Sequence, residues 1–456
     1  MKIVIVGDGK VGFALAEQLA HEDHDVTVID NNIMVLEESL DALDVMVVNG
    51  NGASLEIQRQ ADVQNSDLII AATSSDEVNL LCCVLAKKLG CKNAISRVRN
   101  PDYTEQIEFM KEELGLAMTV NPERTAAKEI YRILQFPSFL RRDAFSRGRV
   151  EIVEFVVDED SILVGKSLIE LPKLIGMKIL VCAVDRDGEV VIPNGRFVLE
   201  KGDKINVTAP SSELVKLTKK LGIKAPRVKS VIIIGGSRIA RYLTEELVKS
   251  GISVKIIDND REKCVELAQQ LPGAVIVNAD GTKQDVLIAE GLRQTDAVVT
   301  LMNMDEENLI VSMFANSIGV PKTVTKVNRT EYYPLFDDLG IGSVVCPKNL
   351  TANGIIRYVR AMQNTSGGTV HTLHRIVDGR AEALEFTAAA GTKYLDMPLS
   401  SYKLKKNMLI SCILRRGQII IPSGSDKIML GDSVVVVTTS DAGVSDLNEI
   451  FEEGTK

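Results

Sequence analysis

Short runs of β-branched and aliphatic residues alternate with longer segments whose apolar positions recur at helical spacing. The runs predict strands at Lys2–Val6, Asp25–Ile29, Val45–Val48, Leu68–Ala71 and Ala94–Arg97, with a short sixth near Ala117–Val120. The segments between them predict helices at Lys10–Ala20, Ile33–Leu40, Leu55–Ala61, Asp76–Leu89 and Asp102–Leu114. Several strands are apolar with little alternation, as in Ile3-Val4-Ile5-Val6, which suits a parallel sheet buried on both faces. Strand–helix alternation with short connections defines a doubly wound α/β domain.

After Asn121-Pro122 the pattern changes. A helical stretch over Glu123–Leu134 precedes Phe136-Pro137 and a basic segment holding Arg141, Arg142, Arg147 and Arg149, read as a linker. Ile130, Ile133 and Leu134 give that helix an apolar face that either two chains share or one subunit packs within itself. From Val150 the runs predict strands at Ile152–Val157, Lys178–Val184, Glu189–Ile192 and Lys204–Ala209. Asp187-Gly188 marks a hairpin turn, and short helices fall near Ile169–Leu174 and at Ser212–Leu221. This is a small α+β domain.

The whole order then recurs. Residues 2–30 (KIVIVGDGK…VTVID) align with 230–258 (SVIIIGGSR…VKIID), so Gly7 maps onto Gly235 and Asp30 onto Asp258, an offset of 228. Asp67, Asp76, Arg97 and Tyr103 map onto Asp296, Asp305, Lys326 and Tyr332 at an offset of 229, which also relates Ile192-Pro193 to Ile421-Pro422 and Gly202-Asp203 to Gly431-Asp432. Two copies of one unit follow. The fold class expected is α/β: two tandem Rossmann-like doubly wound domains, each followed by a small α+β C-lobe. The lobes are expected at 1–122, 140–224, 228–346 and 370–453, with Asn364–Thr369 as a flexible linker.

A chain of 456 residues with 45% apolar residues buries enough surface to fold throughout. The net charge of −9 argues against a nucleic-acid partner, because neutralising phosphates needs a basic face. No apolar run reaches the roughly 18–20 residues that span a bilayer. The opening residues read as strand and loop, not as a signal peptide, so a cytoplasmic, soluble chain is expected. Seven cysteines without a CxxC, most in apolar stretches, read as buried free thiols of a reducing compartment.

Gly7-Asp8-Gly9-Lys10-Val11-Gly12 is a complete GxGxxG between a strand and a helix. Its glycines permit a tight turn, close approach to a pyrophosphate and close helix packing, and the helix N-terminus offers free N–H groups to phosphate. Asp30 ends the second strand, where an acid accepts hydrogen bonds from ribose hydroxyls and repels a 2′-phosphate. NAD(H), ADP or ATP is therefore favoured over NADP. Asp8 brings a negative charge close to the phosphates; Lys10 is placed either to offset it or to stand solvated at the helix start. The second copy reads Gly235-Gly236-Ser237-Arg238-Ile239-Ala240. Ser237 puts a side chain where a pyrophosphate would approach, Arg238 is placed either to pair with phosphate or to lie in solvent, and Asp258 keeps the ribose acid. Loops facing the same crevice are Asn49-Gly50-Asn51-Gly52 with its counterpart Asn278-Ala279-Asp280-Gly281, and Thr73-Ser74 with Met302-Asn303. Ordinary turn chemistry is the other account of these loops.

Catalytic residues and metal ligands are not expected. The histidines are His21, His24, His371 and His374, read as solvated, and GxSxG, Walker A and Cys/His metal patterns are absent from the sequence. An acidic turn, Asp158-Glu159-Asp160, reads as solvated. Duplicated nucleotide domains without an acid/base set suggest a regulator, in which a ligand biases two arrangements of a domain pair.

The opening KIVIVGDGKVG…VTVID, the Asn-Gly-Asn-Gly loop, Asp67–Thr73, Asp76–Asn79 and the signature around Ile192-Pro193 and Gly202-Asp203 resemble a known family, as does the duplicated order. It is the family of peripheral subunits of Trk-type potassium uptake systems, which carry two tandem RCK units (regulator of conductance of K⁺). The resemblance covers essentially the whole chain. It implies a homo-oligomeric ring of about eight RCK units, hence about four copies of this chain, on the cytoplasmic face of a membrane potassium transporter subunit. It implies that NAD(H) or ATP/ADP changes the ring's shape and gates potassium flux. By the same resemblance, Gly7, Gly9, Val11, Asp30, Asn51, Thr73 and Arg97 match nucleotide-contact positions, as do Gly235, Ser237, Ile239, Asp258 and Asp280 in the second copy. The alternatives are an NAD-dependent oxidoreductase, or a nucleotide-sensing regulator of another cation transporter or antiporter.

Overall fold

The computed structural model describes residues 1–100, 103, 106–107, 109–135, 141–145, 150–159, 161–210, 213, 216–217, 220, 228–329, 341–364, 370–377, 380–439, 443–444 and 446–452, and every count below is of these. They form two compact units. One holds residues 1–135 and 228–356, the other 136–227 and 357–456. The two nucleotide-type lobes thus share one unit, and the two small lobes share the other.

In the first unit, β1 (Lys2–Val6), α1 (Lys10–His21), β2 (Asp25–Asp30), α2 (Ile33–Ala42), β3 (Met46–Asn49), α3 (Leu55–Gln60), β4 (Leu68–Ala71), α4 (Asp76–Leu89), β5 (Asn93–Arg97) and β6 (Met118–Val120) build the first lobe. The sheet order is β3-β2-β1-β4-β5-β6, parallel throughout. Strands β1 and β4 lie at its centre. Ile3 to Val6 and Leu68 to Ala71 are all buried, which explains their unbroken apolar runs. Helix α4 starts where the Ser75 hydroxyl accepts from Val78 N, and stops at Gly90. The helix expected at Asp102–Leu114 falls partly outside the described residues.

Helix α5 (Pro122–Gln135) follows. It is neither a linker nor an open dimerisation face. Ala126, Ala127, Ile130 and Leu134 are buried in the core of the second nucleotide-type lobe, with Val231, Ile233, Leu243 and Leu247. Each large aliphatic side chain buried there contributes about 1.5–3 kcal/mol. The Lys322 ammonium also donates to the Ile133 carbonyl at 2.6 Å. One copy's helix is therefore part of the other copy's core.

The second unit contains β7 (Arg141–Phe145), β8 (Val150–Val156), α6 (Leu171–Ile175), β9 (Leu180–Arg186), β10 (Glu189–Val191) and β11 (Lys204–Pro210). The order is β10-β9-β11-β8-β7, with every pairing antiparallel. Strand β7 replaces part of the expected linker. It pairs only with β8 at the sheet edge, where a polar sequence such as Arg-Arg-Asp is tolerated. The hairpin at Asp187-Gly188 has both residues at positive φ, 53° and 85°. Arg186 grips the Asp203 carboxylate with two bonds of 2.8 Å, pinning the turn before β11.

The first unit resumes with β12 (Ser230–Ile234), α7 (Arg238–Lys249), β13 (Ser253–Asp258), α8 (Arg261–Gln270), β14 (Ala274–Asn278), α9 (Gln284–Ala289), β15 (Ala297–Thr300), α10 (Asp305–Ser317), β16 (Thr323–Lys326) and β17 (Ser343–Val345). Its parallel sheet repeats the first, in the order β14-β13-β12-β15-β16-β17. After α11 (Pro347–Asn364), the small lobe repeats as β18 (Val370–Ile376), β19 (Ala381–Thr387), β20 (Met408–Arg415), β21 (Gln418–Ile420) and β22 (Ser433–Thr439). Of the expected linker Asn364–Thr369, residues 365–369 lie outside the description. The expected helix Ser212–Leu221 and the acidic turn at Asp160 also fall partly outside it. The small lobes share a core in which Ile152, Cys182 and Ala183 join Ala381, Cys412 and Val435, and Arg380 pairs with Asp185 at 2.6 Å.

Candidate functional site

Each parallel sheet has its crevice at the carboxyl ends of its first and fourth strands, where the chain winds off in opposite directions. In the first lobe Gly7 turns at φ 96°, and a Cβ there would lie 2.8 Å from Thr73 N, so only glycine lets the loop after β1 meet the loop after β4. A Cβ on Gly12 would lie 1.9 Å from the Gly7 carbonyl oxygen, while one on Gly9 would meet nothing within 4 Å. The Gly9 side of the loop is open, as an approaching pyrophosphate requires. Lys10 begins α1 and is exposed; Val11 is buried and can offer only its backbone.

Asp30 ends β2 beside the glycine loop. Its carboxylate accepts from Asp8 N at 2.7 Å and from Asn32 N at 2.9 Å. Asp8 does not point toward the phosphates: it is buried and accepts the Ser39 hydroxyl of α2 at 2.6 Å. Burial pushes its carboxyl above the ordinary range against the Ser39 hydrogen bond, and repulsion from Asp30 and Glu38 adds to the rise.

The second lobe solves the same corner differently. Asp258 accepts from Gly236 N at 2.7 Å, Asp260 N at 2.9 Å and the Lys263 ammonium at 2.6 Å. Burial works to raise its carboxyl, but the hydrogen bonds from Lys263 and the two backbone groups outweigh that and hold it below the ordinary range. Ser237 turns its hydroxyl back onto Ala240 N as the cap of α7, so its side chain takes up an N–H that a phosphate would otherwise use. Ile239 is buried in the core. A cavity of about 460 Å³ lies against Gly235, Ser237, Asp258, Lys263, Asp280 and Met302.

The remaining loops are turn-builders, and those of the second copy, with Asp280 and Met302, also line its cavity. Asn51 accepts from Ala53 N at 2.9 Å, and Asp280 accepts from Thr282 N at 3.0 Å. Asn79, wholly buried, accepts from Thr73 N at 2.8 Å and donates to Arg97 O at 3.0 Å. Asn308 repeats this clamp on Met302 N and Lys326 O, at 2.9 and 3.1 Å. Sequence reading quoted Asp76–Asn79 without giving it this role.

Arg97 donates to the Thr73 carbonyl, and Arg99 holds Ser74 O at 2.8 Å. Burial draws the Arg97 guanidinium down to about 10, helped by the charges of Arg99 and of Arg238 in the other copy. Its buried Nε has no hydrogen-bond partner. Reciprocally, Lys10 of the first copy adds to the depression that burial imposes on Lys326, while Asp305 opposes it. The cationic ends of the two lobes thus approach one another across the first unit.

His24 differs from expectation: it is buried, because Asp23 at φ 58° turns the chain back so that His24 N bonds Leu19 O at 3.2 Å. His21 is exposed, and His371 and His374 lie in β18, their side chains outside the description. Among the described residues no group of three or more His, Cys, Asp or Glu is placed to hold a metal, and no helix is long and apolar enough to cross a membrane.

Two dinucleotide-type lobes in one unit, and two antiparallel lobes in another, define a duplicated ligand-sensing protein. Residues 3–122 and 231–347 match the TrkA-N domain, and residues 152–222 and 383–452 match the TrkA-C domain. The chain belongs to the TrkA family. It is 33% identical over 460 aligned residues to the Trk system potassium uptake protein TrkA homolog 1 of Methanosarcina mazei, covering 99% of this chain and all of that one. The TrkA homolog of Archaeoglobus fulgidus is 32% identical, with 99% of this chain and all of that one covered. Among solved structures, the GsuK RCK domain superposes with a TM-score of 0.61 at 18% identity, covering 96% of this chain and 92% of that one. The GsuK channel bound to NAD gives 0.62 at 18% identity, covering 96% and 77%. Both share the fold.

Proposed function

We propose that this chain is the nucleotide-binding regulatory subunit of a membrane potassium uptake system, and that it is not an enzyme. The observation that carries the reading is the paired construction of the first unit. Two glycine loops, each with an acid beside it, lie in lobes tied together by α5 and by the bond of the Tyr242 hydroxyl to the Arg99 carbonyl. Ligand entering either crevice acts on a structure both copies share, which is what a coupling device needs.

The family's potassium uptake role and the neighbour bound to NAD support this reading, and a further GsuK structure bound to ADP has a TM-score of 0.51. The ligand is NAD(H) or ATP/ADP. Gly7, Gly9 and Gly12 frame the pyrophosphate, Asp30 takes the ribose hydroxyls, and Lys10 and Arg97 supply positive charge. Asn51, Thr73 and Ser74 line the rest of the first crevice. Gly235, Gly236, Ser237, Arg238, Asp258 and Asp280 form the second, with Val11 and Ile239 contributing backbone only. The lobes divide as 1–122, 140–224, 228–346 and 370–453. The working assembly is a homotetrameric ring of RCK units on the inner face of the cell membrane, docked to the transporter subunit.

The test is calorimetric titration of the full chain with NAD⁺, NADH, ATP and ADP, alongside Asp30→Ala and Asp258→Ala. Saturable binding that weakens in Asp30→Ala is expected. Failure of every nucleotide to bind overturns the reading.

A further inference from the structure

The internal repeat lets the two ribose corners be compared position by position. At the offset of 228, Asp8 corresponds to Gly236, Val35 to Lys263 and Ser39 to Leu267. In the first corner the Asp30 carboxylate accepts two backbone N–H groups and no cation. A carboxylate has about four acceptor sites, so two remain, matching the two hydroxyls of an unmodified ribose. A phosphate on that ribose would meet the Asp30 carboxylate with no cation bonded to it, and the buried Asp8 carboxyl lies behind.

In the second corner the donors are arranged otherwise. Asp258 already accepts three, leaving about one acceptor site for a ligand hydroxyl. The Lys263 ammonium spends one of its three N–H donors on Asp258, and its side chain stays 38% exposed toward the cavity it lines. Gly236 removes the second acid. The corner is poor in acceptors and holds a cation with free donors, so it suits a ligand that brings acceptor oxygens. Asp280, across the cavity, is itself held by Thr282 and lies 3.9 Å from Lys283, which tempers its repulsion.

We propose that the two crevices select different nucleotides. The first takes an adenosine nucleotide with a free ribose diol, and the second takes one whose adenosine ribose carries a phosphate monoester, with Lys263 as the residue that sets the difference. This rests on the nucleotide reading of the crevices and departs from it at the second, where the Lys263 ammonium on Asp258 offsets the repulsion that the acid alone would exert on a phosphate. The phosphate can sit at the 2′ position, as in NADP⁺, or at the 3′ position, as in coenzyme A.

The experiment titrates the full chain with NAD⁺, NADP⁺ and coenzyme A, in the wild type, Lys263→Val and Lys263→Arg. At least one phosphorylated nucleotide is expected to bind the wild type at one site per chain. That affinity falls about tenfold or more in Lys263→Val and stays within about threefold in Lys263→Arg. Which of the two binds assigns the phosphate position. Thermal melts of each variant separate lost recognition from lost folding. If NAD⁺ binds but neither phosphorylated nucleotide does, or if Lys263→Val leaves their affinity unchanged in a folded protein, the inference is overturned and the nucleotide reading stands. If none of the three binds, both fall.

Discussion

Tyr242, on α7 of the second repeat, donates its hydroxyl to the carbonyl oxygen of Arg99 in the first repeat at 3.3 Å. Asn121 donates to the same hydroxyl at 3.1 Å. Arg99 holds Ser74 beside the first crevice, and α7 begins at the phosphate loop of the second. One phenol therefore stands between the loop of one site and the helix of the other.

Tyr242→Phe keeps the packing and removes both hydrogen bonds. It is expected to cost about 1 kcal/mol. It also weakens the coupling between crevices, so that saturating one changes the affinity of the other less than in the wild type. Urea unfolding checks the first effect, and titration of one nucleotide at fixed saturation by another checks the second. Unchanged coupling would remove Tyr242 from the path.

Asn79→Ala and Asn308→Ala each strip a buried clamp from the end of a central strand. Thr73 N and Arg97 O, or Met302 N and Lys326 O, each lose a hydrogen bond. Each substitution is expected to destabilise the first unit by about 2–3 kcal/mol. Nucleotide affinity drops with it, because the loops that face the crevices lose their anchor. Denaturant midpoints at constant m-value are the measurement.

The Asp8 carboxyl is raised by burial, so the folded chain holds its proton to higher pH than the unfolded chain does. Between the ordinary carboxylate value and the raised one, the folded state binds more protons, and stability falls as pH rises. Asp8→Asn keeps an oxygen for Ser39 and carries no charge for Asp30 and Glu38 to repel. The variant should match the wild type at the acid end of that window and exceed it above. Melting temperatures of the two proteins from pH 4 upward, taken as a difference, test this.

Much of this architecture was legible because local and global signals agree. Ile3–Val6 and Leu68–Ala71 read as buried parallel strands and are buried parallel strands. Ser75 and Gly90 bound α4 where capping chemistry places its ends. Two of the misses, α5 and Asp8, share a cause, which is that their partners are remote in sequence. Helix α5 shows an apolar face, but the core that accepts it begins near Val228, and no periodicity reveals that address. Strand β7 is polar because it lies at a sheet edge, so it reads as a linker. Asp8 was expected to face the phosphates; Ser39, 31 residues on in α2, draws it inward. Lys263 was passed over because its role depends on reaching back to Asp258.

Lys322 joins the copies in a way that pH can probe. Its ammonium bonds the Ile133 carbonyl of α5 at 2.6 Å, and burial draws it down to about 8 from an ordinary 10.5. Because the folded value lies below the unfolded one, the folded state binds fewer protons between about pH 8 and 10.5, and stability rises with pH across that window. Below pH 8 the full cost of burying the charge is present. Lys322→Met removes both the cost and the hydrogen bond to α5. The variant should therefore compare best with the wild type below pH 8, and lose ground steadily as pH climbs toward 10.5. Paired chemical denaturation at steps of pH, read as the difference between the proteins, cancels every other titrating group. A difference that stays flat through the window would mean that Lys322 is solvated in solution and does not hold α5 against the second lobe.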